Sequence, residues 1–492
     1  MALTATADAV SHPEPGAPAW TGSVHLDGWT AGGAGTSPVV EPASGEVLGA
    51  VGMATPDDVD HAVPVVARAA ASWQDRTSQE REACLRAVAA ALDRRRAELA
   101  GWLIRESGAT RAKADREIAR AIAEIDHAIE LAATPAERVV HAADDGRRQV
   151  VRRVPVGVVG VITPFNAPLV LAIRAIAPAL AMGNGVILKP DPRTAAAGGL
   201  VLAELACEAG LPRDLLAVLP GDGAVGGRIS AHEGIGSVLF TGSTAVGRQV
   251  GAAAGGALSR VGLELGGNNP VVVLDDADID RAARCALTSS FLHQGQICMS
   301  AGRFVVQRAV YEPFVERLAE LAAALTLGDP WRHEVDMGPM IDEEAAGRVR
   351  RLMRHSVTAG AELRCGGGGS GVFVPATVLA EAGPDTPAYA EEIFGPVAAV
   401  TPAEDAEHAL ELASAGEYGL VAAIHTRDET RAHALAAKLS CGTVRVNDVT
   451  NHDDPATPMS GWHASGNGSA FGGVEMLELV TLPKLVSVAQ RH

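Results

Sequence analysis

The sequence predicts an α/β protein whose parallel sheet is covered by helices on both faces. Two observations predict it. From about residue 154, short Val/Ile/Leu runs bounded by Gly or Pro alternate with helix-length apolar-periodic segments. A second alternation of the same kind begins near Asp278. Continuous apolar runs of strand length, separated by helices, mark parallel strands buried on both faces. The size agrees: 492 residues, 47% hydrophobic and 20% charged, are enough for two to four lobes at roughly 100–200 residues each.

The elements follow in order. The first fifty residues are rich in Gly, Pro, Ser and Thr and read as a tail with short strands or turns. From Thr55 to about Ala133 the pattern is helical, with one long amphipathic helix over REACLRAVAAALDRRRAELAGWLIRES and a second near 112–132. Arg147 to Val156 reads as a strand. GVVGVITP, NGVILKP, LLAVLPG, SVLFTGS, VGLELGG and PVVVLDD are further strands. PLVLAIRAIAPALAMG and TAAAGGLVLAELACEAG are helices ending at Gly183 and Gly210. Then come a helix at 279–292, the loop HQGQICMSAGR, helices near 310–325 and 342–359, and a glycine turn at Gly366–Gly369. The strip LVTLPKLVSVAQ alternates like an edge strand.

Composition excludes several function classes. Lys+Arg is 41 against Asp+Glu 59, a net charge of −18 with no basic run, so neither nucleic acid nor an anionic membrane is the expected partner. The N-terminus lacks the basic and apolar regions of a signal peptide, and no uncharged apolar stretch reaches about 18 residues. The six cysteines are scattered, without a C-x-x-C pair, and read as reduced cytoplasmic thiols rather than a disulfide framework or zinc site. Cys84 and Cys207 read as core fillers. Only four lysines occur, Lys113, Lys189, Lys438 and Lys484, so a lysine in a special place stands out.

In open parallel sheets ligands bind beyond the carboxyl ends of the strands. That rule selects Thr163–Asn166, Lys189–Pro190, Gly221–Gly223, Thr241–Thr244 and Glu264–Gly267. GDGAVGG has G-x-G-x-x-G spacing, but no acidic residue follows about twenty positions on. It reads better as a glycine-rich turn. Cys298 lies in a loop of small residues, either as a reachable thiol or as a buried one. Glu264 ends an apolar strand, either as a base of raised pKa or as a salt-bridged strand end. Asn166 is a helix N-cap or an amide donor to an oxyanion. Lys189 is a cation for cofactor hydroxyls or a side chain snorkelling to solvent.

The segments TPFNAPL, ILKP, FTGST, LELGGNNP, GQICMSAGR and EEIFGPV, in this order over roughly residues 20–485, resemble the aldehyde dehydrogenase superfamily. LKPDPRTA, RVGLELGGNNPVVVLDDADID and FLHQGQICM are similar to its benzaldehyde/vanillin dehydrogenase branch. The resemblance implies a Rossmann-type cofactor domain, an α/β catalytic domain and a small β oligomerisation extension. Their expected bounds are 1–132 and 154–265 for the NAD(P)-binding domain, 266–465 for the catalytic domain, and 133–153 and 466–492 for the oligomerisation strands. It assigns Cys298 as nucleophile, Glu264 as general base and Asn166, with the Cys298 N–H, as oxyanion donor. Lys189 and Glu392 would bind the cofactor riboses, Phe394 would pack near the nicotinamide, and Gly242 and Ser243 would face the pyrophosphate. Thr163, Pro164, Phe165, Gly223, Thr241 and Leu265 complete the expected cofactor set. No metal is expected.

The implied reaction is NAD- or NADP-dependent oxidation of an aldehyde, foremost an aromatic, benzaldehyde-like one, to the acid. An aliphatic or larger aldehyde is the alternative substrate. Rival readings are a CoA-acylating enzyme, against which Glu264 stands, a non-catalytic binding protein, and a thiol hydrolase pairing Cys298 with His293. The sequence departs from the family at Phe165, where Trp is common, and at Pro192, where NAD-preferring members carry Glu. It departs again at Pro458-Met459-Ser460-Gly461, where P-F-G-G is usual. A homodimer or homotetramer is expected, with Arg147–Val156 and Leu479–Ala489 supplying the intersubunit sheet edge.

Overall fold

The computed structural model describes residues 20–134, 137–140 and 147–489. The N-terminal tail lies outside the described residues. Two seven-stranded sheets and one three-stranded sheet organise them.

In the first sheet the strands run Arg260–Glu264, Ser237–Thr241, Val158–Ile162, Gly185–Lys189, Leu216–Val218, Ser23–His25 and Trp29–Ala31. The first five are parallel, with Thr241 beside Glu264 and Ile162 beside Lys189. The chain builds outward from Val158–Ile162 to 216–218 on one side, then returns to lay Ser237–Thr241 on the other. The reversal opens a crevice at the carboxyl ends of Val158–Ile162 and Ser237–Thr241, where connecting segments diverge.

The second sheet runs Glu362–Cys365, Thr377–Ala380, Val397–Ala403, Ala301–Gln307, Asn269–Val273, Val421–His425 and Thr443–Val446, parallel except for its first pair. The third pairs Thr481–Ala489 with Arg147–Pro155, and the latter with Glu137–Val140. Arg147–Pro155 is therefore the central strand of this sheet, and the exposed edges belong to its two neighbours.

Helix starts are set by side-chain caps. Thr55 with Asp58 and Thr77 with Glu80 form capping boxes. Thr110, Ser243, Asp278 and Asp342 cap later helices. The long helix expected over 81–107 is two helices, Ser78–Arg94 and Arg96–Ser107. Arg95 leaves the helical region (φ −97, ψ 20), and its guanidinium bonds Glu98 and Glu208. The first helix buries one face, whereas every residue from Leu99 to Ser107 is buried. One straight axis cannot serve both environments. The helix expected over 194–210 is likewise divided, into a 3₁₀ turn, a π-turn at Ala196–Leu200 and an α-helix at Val201–Glu208. Cys207 is exposed rather than a core filler.

Candidate active site

The crevice at the strand reversal opens into a cavity of about 820 Å³, within the usual range for small-molecule sites. Thr163, Pro164, Phe165, Asn166, Lys189, Gly223, Thr241, Gly242, Ser243, Leu265, Cys298, Glu392 and Phe394 all line it. The sequence-selected residues thus converge from both large sheets, with one exception. Glu264 does not line this cavity.

Cys298 sits in the loop joining helix Ile279–Phe291 to strand Ala301–Gln307. The loop is bent by three successive left-handed residues, His293 (φ 51), Gln294 (φ 56) and Gly295 (φ 68). The first two carry side chains that disfavour this conformation, and the surroundings hold it. Gln294 donates to the Gly108 carbonyl at 3.0 Å, and Gln296 accepts from the Ile341 N–H at 3.0 Å. A Cβ at position 295 would lie 2.3 Å from the Gly395 carbonyl oxygen, so glycine is required there. Asn269 donates to the carbonyls of Cys298 and Ser300, both at 2.8 Å. Burial, then the carboxylates of Glu264 and Glu392, push the half-buried Cys298 thiol up to about 12. His293 is buried; its ring faces the Asn166 backbone and the Lys113 cation, and burial pushes its pKa well below the ordinary imidazole value. No hydrogen bond joins its ring to Cys298, which weighs against the thiol-hydrolase pairing.

Asn166 is 4% exposed, and its side-chain amide donates to the Gln296 carbonyl at 2.7 Å. An amide nitrogen carries two N–H donors, so one is left for a substrate oxygen. Glu264 is 1% exposed. One oxygen accepts from the Gly461 N–H at 3.4 Å, and the other is unpartnered. Burial raises its pKa well above the ordinary carboxylate value. The departing segment Pro458–Gly461 therefore packs behind this carboxyl. Leu265 is fixed by its N–H to Ser465 O at 2.9 Å. Nearby, Arg174 is buried and paired with Glu124 and Asp453.

The rest of the cavity suits an elongated anion bearing hydroxyls. Helix Thr244–Gly256 starts at the neutral cap Ser243, and its N-terminus favours negative charge. Helix Gly223–Ala231 starts at Asp222, whose carboxylate already accepts from Ala224 N and Val225 N. The glycine-rich segment is thus a turn entering a self-capped helix. Gly223 and Gly227 have open space where a Cβ would stand, and Thr163 Oγ1 is buried without a partner. Lys189 is 8% exposed; burial lowers its pKa, opposed by Asp191 and Asp222. Glu392 accepts from the Gly267 N–H at 3.0 Å, and burial raises its pKa. Phe394, in the left-handed region at φ 46, meets Phe165 edge-on at 6.0 Å between ring centres. These features fit a dinucleotide.

Four lining or neighbouring residues were missed from the sequence. Arg348 lines the cavity and donates to the Glu392 carbonyl at 3.1 Å. Arg193 lies 4.5 Å over the Phe165 ring, tethered by Asp191 and Asp342. Lys113 and Glu117 grip the backbone around Asn166. The scarcity of lysine and the i,i+4 spacing were the only signals for the last pair.

A model of the aldehyde dehydrogenase family matches residues 29–486. The chain is 46% identical to a vanillin dehydrogenase of Amycolatopsis sp. over 92% of its length and 93% of the relative's. It is 43% identical to an NAD(+) benzaldehyde dehydrogenase of Pseudomonas putida, over 96% and 97%. Among solved structures, betaine aldehyde dehydrogenase of Staphylococcus aureus in complex with NAD+ superposes with a TM-score of 0.92 at 29% identity, covering 96% of this chain and 95% of that one. An NADP-dependent glyceraldehyde-3-phosphate dehydrogenase of Bacillus halodurans, complexed with NADP, gives 0.91 at 30% identity, covering 95% and 99%.

Proposed function

The chain belongs to the aldehyde dehydrogenase family, and on that premise we propose that it oxidises an aromatic, benzaldehyde-like aldehyde to the carboxylic acid with NAD or NADP. The observation that carries the reading is the convergence of Cys298, Asn166, Lys189 and Glu392 on one cavity. The likeness to vanillin and benzaldehyde dehydrogenases supports the aromatic substrate.

In this reading the Cys298 thiolate adds to the aldehyde carbon and forms a C–S bond. The carbonyl oxygen becomes an oxyanion, held by the free Asn166 N–H and the backbone N–H of Cys298. Covalent attachment fixes the carbon in one orientation. A nicotinamide cofactor, held with its ring beside Phe394, would supply the acceptor for the hydride that leaves this carbon. The acyl group is then a thioester on Cys298. Glu264 takes a proton from water, the resulting hydroxide attacks the thioester carbon, and the C–S bond breaks to release the acid. A carboxyl of raised pKa suits that role, because its carboxylate is a stronger proton acceptor than an ordinary one. Lys189 and Glu392 hold ribose hydroxyls, and the N-terminus at Ser243 holds the pyrophosphate.

The same reading divides the chain into a cofactor lobe (1–132 and 154–265), a catalytic lobe (266–465) and oligomerisation strands (133–153 and 466–492). Val139, Leu482, Leu485 and Val488 stand exposed on the three-stranded sheet, which supports a homodimer or homotetramer covering them. The six thiols are free, which fits a reducing cytoplasm. No described helix is long and apolar enough to cross a membrane.

The test is a panel of aromatic and aliphatic aldehydes assayed with NAD and NADP separately. Reduction of neither cofactor by any aldehyde overturns the activity. A clear preference for aliphatic aldehydes overturns the substrate class alone.

A further inference from the structure

Helix Pro168–Ala181 follows directly on Asn166, yet its N-cap is Ala167, which has no side chain to cap with. Its first N–H groups are buried and need partners from elsewhere. They find them on another helix, Arg111–Ala132. One oxygen of Glu117 accepts from Leu169 N at 2.9 Å and Val170 N at 3.3 Å. Its other oxygen accepts from the Lys113 ammonium, one turn earlier. That ammonium also donates to the backbone carbonyl of Asn166 at 2.8 Å. Both side chains are buried, at 8% and 3% exposure.

An ion pair thus takes hold of the peptide segment 166–170 from both polarities: the cation on the Asn166 carbonyl, the carboxylate on the amides that follow. A buried pair of this kind is weak evidence of a stability role, because desolvation offsets its attraction. What it does here is geometric. Rotation of the peptide after Asn166 would break the lysine bond and swing the amide that reaches Gln296. Oxyanion stabilisation depends on donors standing where the charge develops.

We propose that Lys113 and Glu117 are positioning residues that lock the Asn166 backbone so that its side-chain amide points at the substrate oxygen. The proposal rests on the reading of Asn166 as an oxyanion donor. Neither residue touches substrate; they act through Asn166.

The test compares the full-length wild type with K113M/E117Q. The double variant leaves no unpaired buried charge and keeps an acceptor for Leu169 and Val170, while losing the donor to Asn166 O. Two rates are read per Cys298, titrated by alkylation. One is the burst of reduced cofactor with benzaldehyde. The other is cofactor-free acylation by p-nitrophenyl acetate, in which Cys298 sulfur bonds the acetyl carbon and nitrophenolate leaves. We expect both to fall by about tenfold to 100-fold, since misplacement near 1 Å costs up to ~10². Cofactor affinity and aldehyde KM should hold, and Lys113→Arg, which keeps cation and donor, should recover most of the loss. If the double variant does not fold, Lys113→Gln replaces it; its shorter amide can still meet Glu117 but stops short of the Asn166 carbonyl. Rates within threefold of wild type in the folded variant overturn the proposal. A wild type inactive in both assays overturns instead the reading of the site on which it rests.

Discussion

The side-chain amide of Asn166 donates to the backbone carbonyl of Gln296, 2.7 Å away and two residues before Cys298. This one bond joins the segment that follows strand Val158–Ile162 of the first sheet to the loop that carries the thiol. Removing the amide should therefore cost donor strength and loop alignment together. Asn166→Ala is expected to slow the burst of reduced cofactor by about 10²–10³, with cofactor affinity unchanged. Stopped-flow absorbance checks it, and a loss below threefold contradicts the oxyanion role.

Cys298→Ala should abolish reduction of either cofactor with every aldehyde, whereas Cys207→Ala should not. In the wild type the thiol is pushed up to about 12 by burial and by Glu264 and Glu392. Only a small fraction is thiolate near neutrality, so alkylation of Cys298 by iodoacetamide should speed up about tenfold per pH unit. Mass-spectrometric rates between about pH 7 and 10 measure the slope; a flat profile contradicts the assignment.

Glu264→Gln should retain a single burst and lose steady-state turnover, because only thioester hydrolysis needs the base. Its effect on stability has a definite sign. Burial raises the folded pKa well above 4.5, so the native protein holds this proton more tightly than the unfolded chain. The stabilisation is full below the unfolded value and is lost as pH rises through the folded pKa. The wild type should lose more Tm than Glu264→Gln on going from about pH 6 to pH 9. Equal losses in calorimetry reject the burial argument.

A Cβ at Gly266 would lie 2.5 Å from one Glu392 oxygen and 2.7 Å from the other. The colliding atoms end a side chain that can swing, so Gly266→Ala should fold and displace the carboxylate from the position proposed for ribose binding. Cofactor affinity should weaken about tenfold or more, the cost of a hydrogen bond to a charged group. Fluorescence titration reads it; an unaltered Kd means that Glu392 does not hold the cofactor.

Much of this architecture was readable along the chain. Runs such as GVVGVITP and NGVILKP are apolar throughout because both sheet faces are covered. The strand-end rule then selected Thr163–Asn166, Lys189 and Thr241–Thr244 before any geometry was known. The break at Arg95 was not readable, since it follows from the complete burial of Leu99–Ser107 by distant segments, which the one-faced pattern of Ser78–Arg94 does not announce. Nor was the exposure of Cys207, which follows the apolar run Leu205–Ala206 and sits on the helix face shared with Glu204 and Glu208.

By itself the sequence singled out the residues proposed for the chemistry, because candidate nucleophile, base and donor are residue types held in short local motifs. Only the tertiary structure decided how they are aimed. It set Glu264 outside the cavity that holds Cys298, against Gly461, and placed Lys113 and Glu117 on the backbone of Asn166. Orientation is fixed by hydrogen bonds between segments 50 to 200 residues apart, and no local pattern encodes which distant carbonyl or amide a buried side chain will meet.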